Sequence, residues 1–329
     1  MAACPACDGT DFSVLVPSEK LELECRIRER FVQQRLTKSA SPDELKDLTD
    51  FFHRGNADIL LCANCRLLLR RGLDRPQART YSEDEYDPRV MEHQYPCYLR
   101  AFRAKANPYR ELLPREARIL EVGSHYGAFL AIAEEWGWRA EGVDIGKDTT
   151  RFARSKGFTV HNCELSDCGF PEAGLDGIFV WNCFEQITDP KPLLKECRRL
   201  LGREGLLVLR TPNGLFYTLC QTVLNAGALD PKARVFLEEA MGYNNLLGFP
   251  YLYGYHQGAL DRLTRPAGFH LEGMLNSELL TLPLPENPAW VEREERVISK
   301  ELMLRARSVL QNTAGVLTGP WIELWFRKT

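Results

Sequence analysis

Two cysteine pairs of identical spacing, Cys4-Pro-Ala-Cys7 and Cys62-Ala-Asn-Cys65, are the first residues whose types could do chemistry. A C-x-x-C turn presents two thiolates to one edge of a tetrahedron, so Cys4, Cys7, Cys62 and Cys65 together offer a complete zinc site. Four thiolates leave no position for water or substrate, so the metal would contribute folding free energy and no catalysis. A second group of residues follows a strand-turn-helix pattern: Glu121, Gly123 and Gly127, then Asp144 about twenty residues after the turn. Glycine lets the chain turn tightly and lets a ligand approach the next helix without a Cβ in the way. An acid at the end of the following strand can accept hydrogen bonds from both hydroxyls of a ribose. Glu121, two residues before the first glycine, suits a ligand with a cationic amino-acid end. His125 stands where the dinucleotide motif G-x-G-x-x-G places a glycine against a pyrophosphate.

These residues need elements to carry them. Apolar runs predict strands at Ile119–Val122, Arg139–Asp144, Thr159–His161, Leu175–Trp181 and Gly205–Arg210, alternating with helices over Ala128–Trp136, Asp148–Lys156 and Pro190–Leu201. Such alternation implies right-handed crossovers and a parallel, doubly wound sheet that binds ligands beyond the carboxyl ends of its strands. Asp144 then lies at a strand end, and Asp148 and Thr149 are better placed than Asp144 to cap the helix that follows. The second cysteine pair lies between Ile59-Leu60-Leu61 and Leu67-Leu68-Leu69, which suits a knuckle at a hairpin tip, as in a zinc ribbon. A helical-looking stretch from about Leu21 to Phe52 is inserted between the knuckles. Cys25, Cys97, Cys163, Cys168, Cys183, Cys197 and Cys220 have no paired spacing and are expected to act as small hydrophobes.

The polar, proline-punctuated segment Arg75–Pro88 reads as a connector. The expected division is a zinc-ribbon-like module over residues 1–88 and an α/β domain over 89–329. Tyr98, Phe102, Tyr109 and Leu112 recur near helical spacing, predicting a helix from Tyr95 to Leu113 over the entrance to that domain. An apolar, aromatic insert over about 215–250 is too long for a loop and is expected to form a helical lid. A helix from Trp290 to Leu310 is expected to pack on the zinc module or on a second subunit, the latter giving a homodimer.

With 329 residues, 44% hydrophobic and 26% charged, the chain can bury a sizeable core without disulfides. A formal charge of -3 and no concentration of Lys and Arg argue against nucleic acid as a partner. No leader-like or bilayer-length apolar segment is visible, so the expectation is a cytoplasmic chain with no membrane partner. Its eleven cysteines should then be thiols or metal ligands.

In order along the chain, Glu121-Val-Gly-Ser-His-Tyr-Gly127, Gly142-Val-Asp144, Trp181-Asn-Cys-Phe-Glu-Gln-Ile-Thr-Asp-Pro190 and Arg199 through Thr211-Pro-Asn213 resemble the motifs of class I S-adenosylmethionine-dependent methyltransferases. Gly268-Phe269 before a sixth strand and Gly319 to Phe326 as a seventh resemble the completion of that family's sheet. The resemblance implies a Rossmann-like, doubly wound sheet of seven strands, the last antiparallel, behind the small N-terminal zinc-binding module. It implies S-adenosylmethionine contacts from Glu121, Gly123, Ser124, His125, Gly127, Asp144, Ile145, Cys163, Glu164 and Asn182. The chain departs from the family at His125 for a middle glycine, at Gln186 for a frequent histidine, and at Cys163 near a usual aspartate. Where the acceptor must lose a proton, the candidates are Glu185, Tyr255 and His256, the last titrating in the right range for a base. The paired knuckles also resemble those of bacterial methyltransferases that act on nucleotide-linked sugars or secondary-metabolite precursors, implying a small-molecule acceptor. A nucleotide-dependent oxidoreductase and a non-catalytic S-adenosylmethionine-binding or scaffold protein stay open as alternatives.

Overall fold

The structure is a computed structural model that describes residues 3–22, 24–26, 57–71, 88–227, 229–244, 246, 251–277 and 319–329. The chain forms two compact units, Met1–Asp74 with Thr211–Leu260 and Leu275–Ile322, and Arg75–Arg210 with Asp261–Met274 and Glu323–Thr329. This division differs from the one expected at residue 88, because Thr211–Leu260 folds with the cysteine-rich segment.

The second unit is built on a sheet entered at its middle. Strand β4 (Arg118–Val122) is buried at four successive positions, as a strand covered on both faces must be. It pairs in parallel with β5 (Arg139–Val143) on one side and β7 (Leu175–Val180) on the other. β5 pairs in parallel with β6 (Thr159–His161), and β7 with β8 (Leu201–Pro212). With β10 (Phe269–Ser277) and β11 (Trp321–Lys328) the order is β10-β11-β8-β7-β4-β5-β6, a mixed seven-stranded sheet of Rossmann-like type. The winding reverses between β4 and β7; their carboxyl ends carry Glu121 and Asn182, and Asp144 follows the next strand, β5.

Helix α1 runs over Pro88–Ala106, starting and ending earlier than the stretch Tyr95–Leu113 expected. Pro108 has no N–H to continue the ladder, so the chain goes on as a 3-10 turn at Asn107–Tyr109. Tyr95, Tyr98 and Phe102, spaced three and four apart, meet Phe152, Tyr126 and Phe129 at ring-centre distances of 5.7, 5.3 and 5.9 Å. The helices α2 (Ala128–Glu135), α3 (Lys147–Ser155) and α4 (Pro190–Leu200) follow the strands as the alternation predicts.

The first unit has its own sheet, in which β1 (Phe12–Val16), β2 (Ile59–Cys62), β3 (Leu68–Arg70) and β9 (Tyr253–Gly254) are neighbours in that order. All three pairings are antiparallel, and β9 joins through Leu68 opposite Gly254 and Leu69 opposite Tyr253. The insert forms α5 (Gly214–Asn225) and α6 (Pro231–Tyr243). Its Tyr217, Cys220, Met241 and Leu246 share one buried cluster with Val16, Leu21, Ile59, Leu61 and Leu68. The apolar residues read as a lid therefore serve as the core partner of the cysteine-bearing hairpin. Of the stretch Leu21–Phe52 only residues 21, 22 and 24–26 are described, and they are helical; the connector up to residue 87 and the helix Trp290–Leu310 lie outside the described residues.

Asn213 starts α5 by accepting from the Leu215 N–H at 3.0 Å and ties it to the Gly319 carbonyl at 2.8 Å. At Gly214 the chain passes so close to β9 that an added Cβ would lie 2.2 Å from the Gly254 carbonyl oxygen. Gly214→Ala is expected to destabilise the protein by about 2 kcal/mol in urea unfolding, because backbone must move to admit the methyl. Gly202→Ala, whose Cβ would meet nothing nearer than 3.5 Å, should be close to neutral.

Candidate functional site: a buried carboxylate cluster at the sheet switch point

The turn after β4 uses left-handed backbone at three alternate residues, Gly123 (φ 74°), His125 (φ 48°) and Gly127 (φ 75°). A Cβ at Gly123 would lie 2.7 Å from the Cys183 sulfur, and one at Gly127 2.7 Å from the Phe158 ring, so glycine is required there for space as well as for φ. His125 adopts the same conformation with a side chain present. It is compensated by a 2.7 Å hydrogen bond from its N–H to Asp144 Oδ2 and by packing 3.7 Å, centre to centre, on the Tyr126 ring. Burial pushes the His125 imidazole down to about 4, against an opposing pull from Asp144, so the ring is neutral at physiological pH.

Asp144 stands at the end of β5 and holds more than was expected of it. Beyond His125, its Oδ1 accepts from the Gly146 N–H at 2.8 Å and the Thr149 hydroxyl at 3.1 Å. The carboxylate thus does take part in starting α3, whose N-cap, Gly146, has no side chain to do so. Asn162, which sequence reasoning missed, donates to the carbonyls of Asp144 (2.9 Å) and Gly146 (3.2 Å) and closes the same loop. Ile145 is half-buried beside it.

Glu121 is buried at the end of β4, with one carboxyl oxygen lacking any hydrogen-bond partner. Burial, with Asp144 adding repulsion, raises its pKa well above the ordinary carboxyl value. The buried Ser124 hydroxyl is also without a partner. Orphaned acceptors of this kind at a strand end fit a ligand that brings its own donors, which an α-amino group does.

After β7 the loop carries Asn182, Cys183 and Glu185. Asn182 is exposed, and its side-chain oxygen accepts from the buried Arg210 guanidinium. Cys183 donates to the Val122 carbonyl at 3.3 Å. Glu185 is buried with one oxygen unpartnered; burial raises its pKa to about 8, and Arg210 acts in the opposite sense. Arg210, which no sequence signal marked out, is itself fully buried against Glu323.

Cys163 corrects an expectation. It is joined in a disulfide to Cys168 across one turn, Cα atoms 6.0 Å apart, so neither is a lone hydrophobe and not every cysteine outside the knuckles is a thiol. Glu164, between them, is exposed.

Tyr255 and His256 belong to the first unit, whereas Glu185 belongs to the second. Tyr255 is fully buried, and its backbone carbonyl accepts from the Gly214 N–H at 2.6 Å. His256 Nδ1 accepts from the Gly258 N–H at 3.1 Å, which leaves the proton on Nε2 to be donated to the Cys65 carbonyl at 2.7 Å. Both ring nitrogens are thereby engaged in holding backbone. The role of base expected for His256 does not fit this geometry; it tethers a knuckle to the start of α7 (Gln257–Thr264).

The knuckles meet as the spacing implies. The sulfurs of Cys4, Cys7, Cys62 and Cys65 all lie within 4.8 Å of one another, with Cys4–Cys65 and Cys7–Cys62 at 3.5 Å. The two turns repeat one geometry: Asp8 N–H to Cys4 carbonyl at 2.8 Å and Arg66 N–H to Cys62 carbonyl at 3.0 Å, with Asp8 (φ 56°) and Arg66 (φ 64°) both left-handed.

A sheet of this order with an acid-glycine turn after β4 and an acid after β5 defines the class I methyltransferases. Consistent with this, residues 91–271 match the model of a family described as a methyltransferase domain, and the chain belongs to that family. It is an S-adenosylmethionine-dependent methyltransferase. The oxidoreductase alternative is thereby set aside. Among solved structures, it is similar to a SAM-dependent methyltransferase from Archaeoglobus fulgidus (21% identity, 70% of this chain and 94% of that one, TM-score 0.45). It is also similar to one from Mesorhizobium loti (16%, 68% and 98%, 0.43). A third is the structure of a complex between the Haloferax volcanii Trm112 methyltransferase activator and a methyltransferase (14%, 77% and 98%, 0.47). No curated protein matches the sequence. No described helix is long and apolar enough to cross a membrane.

The raised pKa of Glu121 has a definite sign in stability. Above the ordinary value of 4.5 the unfolded chain releases this proton while the folded protein keeps it, so stability falls as pH rises until the folded group ionises. Glu121→Gln removes that dependence. The ligand-free variant should melt higher than the parent at about pH 8, with the gap closing as pH falls toward the ordinary carboxyl range. A gap constant across the melting-temperature series would contradict a buried, protonated Glu121.

Proposed function

We propose that the chain transfers the methyl group of S-adenosylmethionine to a small polar acceptor, a nucleotide-linked sugar or a secondary-metabolite precursor. The observation that carries the donor side is the pairing of an orphaned, buried carboxyl at Glu121 with the Asp144 carboxylate across one glycine turn. Glu121 with Ser124 faces the amino-acid end of the donor. Asp144 with Ile145 takes the ribose, and Cys163, Glu164 and Asn162 border the base. Bound S-adenosylmethionine supplies an already activated methyl group, so the protein's task is chiefly to align an acceptor atom for in-line attack. The bond from acceptor to methyl carbon forms as the carbon–sulfur bond breaks, and the electron pair stays on sulfur. Where the acceptor is a hydroxyl or amine, its proton goes to the Glu185 carboxylate, whose pKa of about 8 leaves it a workable base near neutrality. The resemblance of the paired knuckles to those of sugar-modifying methyltransferases supports the acceptor class.

Cys4, Cys7, Cys62 and Cys65 hold a structural zinc in this reading. A tetrahedron with ~2.3 Å zinc–sulfur bonds places neighbouring sulfurs about 3.8 Å apart, close to the 3.5 Å contacts present.

Isothermal titration with S-adenosylmethionine and S-adenosylhomocysteine, with NAD as control, should show micromolar binding that Asp144→Ala abolishes; binding of NAD alone would overturn the reading. With donor binding established, a screen of nucleotide sugars and phenols should find an acceptor whose methylation Glu185→Gln slows by roughly 10²-fold or more. Metal analysis of the same protein should find one zinc per chain, and removing it with a chelator should lower the melting temperature. A metal-free protein with an unchanged melting temperature would leave the four thiols as a plain buried cluster.

A further inference from the structure

The segment from Asn162 to Phe170 leaves the sheet after β6 and returns toward α4, held mainly at its two ends. At the entry, the Asn162 amide donates to the carbonyls of Asp144 and Gly146 at 2.9 and 3.2 Å, which ties the segment to the turn after β5. At the exit, the Phe170 ring lies 5.0 Å, centre to centre, from His161, and Arg199 of α4 donates to the Phe170 carbonyl at 2.9 Å. Between these ends only Leu165 is buried, in the 3-10 turn Leu165–Asp167. The covalent tie across the segment is Cys163–Cys168, separated by five positions with Cα atoms 6.0 Å apart. Both cysteines are half-exposed, whereas Cys197 and Cys220 are buried, so a reductant in solution can reach this sulfur pair. A bridge stabilises a fold less the shorter the loop it closes, so opening this one leaves β6 and α4 on their own hydrogen bonds. Its effect is local. Cys163 follows directly on Asn162, so the bridge bears on the residue that shapes the Asp144 turn.

We propose that Cys163–Cys168 is a thiol–disulfide exchange site for a dithiol reductant, and that its redox state sets how tightly the chain holds S-adenosylmethionine. The second half rests on the reading of Cys163, Glu164 and Asn162 as the border of the base. A thiolate of the reductant attacks one sulfur of the bridge and forms a mixed disulfide, while the other cysteine leaves as thiolate and takes a proton. The reductant's second thiol then displaces the first cysteine. Two electrons and two protons thus pass to the chain, and the reductant departs as its own disulfide. With the bridge closed, the segment is ordered before the ligand arrives. With it open, that ordering has to happen on binding, and affinity falls. The short separation keeps the two thiols close, so a disulfide of the same class re-forms the bridge.

The full chain is equilibrated with mixtures of oxidised and reduced dithiothreitol, its free thiols are alkylated in denaturant, and the peptide carrying Cys163 and Cys168 is read by mass spectrometry. That peptide should pass from unlabelled to doubly labelled across the series. Double labelling without reductant, or no labelling under full reduction, would overturn the exchange site. Isothermal titration with S-adenosylhomocysteine should then give a roughly fivefold weaker affinity for the reduced chain than for the oxidised one. Cys163→Ser/Cys168→Ser should bind as weakly as the reduced parent and ignore dithiothreitol, which separates this bridge from the thiols of the knuckles. Equal affinity in the two redox forms, or a serine variant that reductant weakens further, would overturn the link to donor binding. Hydrogen exchange should speed up on reduction within residues 162–170; unchanged rates there would overturn the ordering role. If neither form binds S-adenosylhomocysteine, the donor reading itself falls, while labelling and hydrogen exchange still decide what the bridge does.

Discussion

The turn after β4 and the start of α3 hang together on the Asp144 carboxylate. Its two oxygens collect the His125 N–H, the Gly146 N–H and the Thr149 hydroxyl, so one side chain joins the turn after β4 to the start of α3. Without that acceptor, the left-handed His125 would keep only its ring packing on Tyr126 against its backbone strain, and α3 would begin without the Gly146 and Thr149 contacts to Asp144. The same carboxylate lies close enough to bear on Glu121 and on the His125 ring, raising the pKa of the first and opposing the fall of the second. One carboxylate thus shapes both the turn after β4 and the start of α3.

Desolvation is the second constraint. Glu121, Glu185, Arg210 and Glu323 are all buried at or beside the carboxyl ends of the sheet. Two of them, Arg210 and Glu323, neutralise one another; Glu121 and Glu185 each keep an oxygen without a partner. An unmatched buried carboxyl costs stability and is a natural place to bind or move a proton. The second unit concentrates that cost around its switch point, the place in an open α/β sheet where ligands bind beyond the strand ends.

The first unit has a small antiparallel sheet whose core is completed from a distant part of the chain. The cysteine knuckles fold the hairpin ends, and Thr211–Leu260 completes the core through β9 and the helices α5 and α6. His256 adds a direct link from this insert to the Cys65 carbonyl. The insert is thus as much a part of the cysteine module as the N-terminal segment that supplies its sulfurs.

Much of this was legible in the residues because it depends on local periodicity and short spacing. Alternating apolar runs and helices determined the parallel strands, the glycine turn determined where a ligand can approach, and two C-x-x-C turns determined the four-sulfur cluster. The partition of the chain was not legible. Whether the apolar faces of 215–250 cover a ligand or a neighbouring hairpin depends on which surface lies opposite, and amphipathic periodicity is the same in both cases. The Cys163–Cys168 disulfide depended on one turn bringing two Cα atoms to 6.0 Å. His256 reads as a titrating residue in any sequence; only the tertiary fold, by placing the Gly258 N–H and the Cys65 carbonyl at its two nitrogens, engaged both in holding backbone. Arg210 carries no motif at all, since the group that neutralises its buried charge, Glu323, lies more than a hundred residues away, and that separation is closed by the sheet and not by the chain.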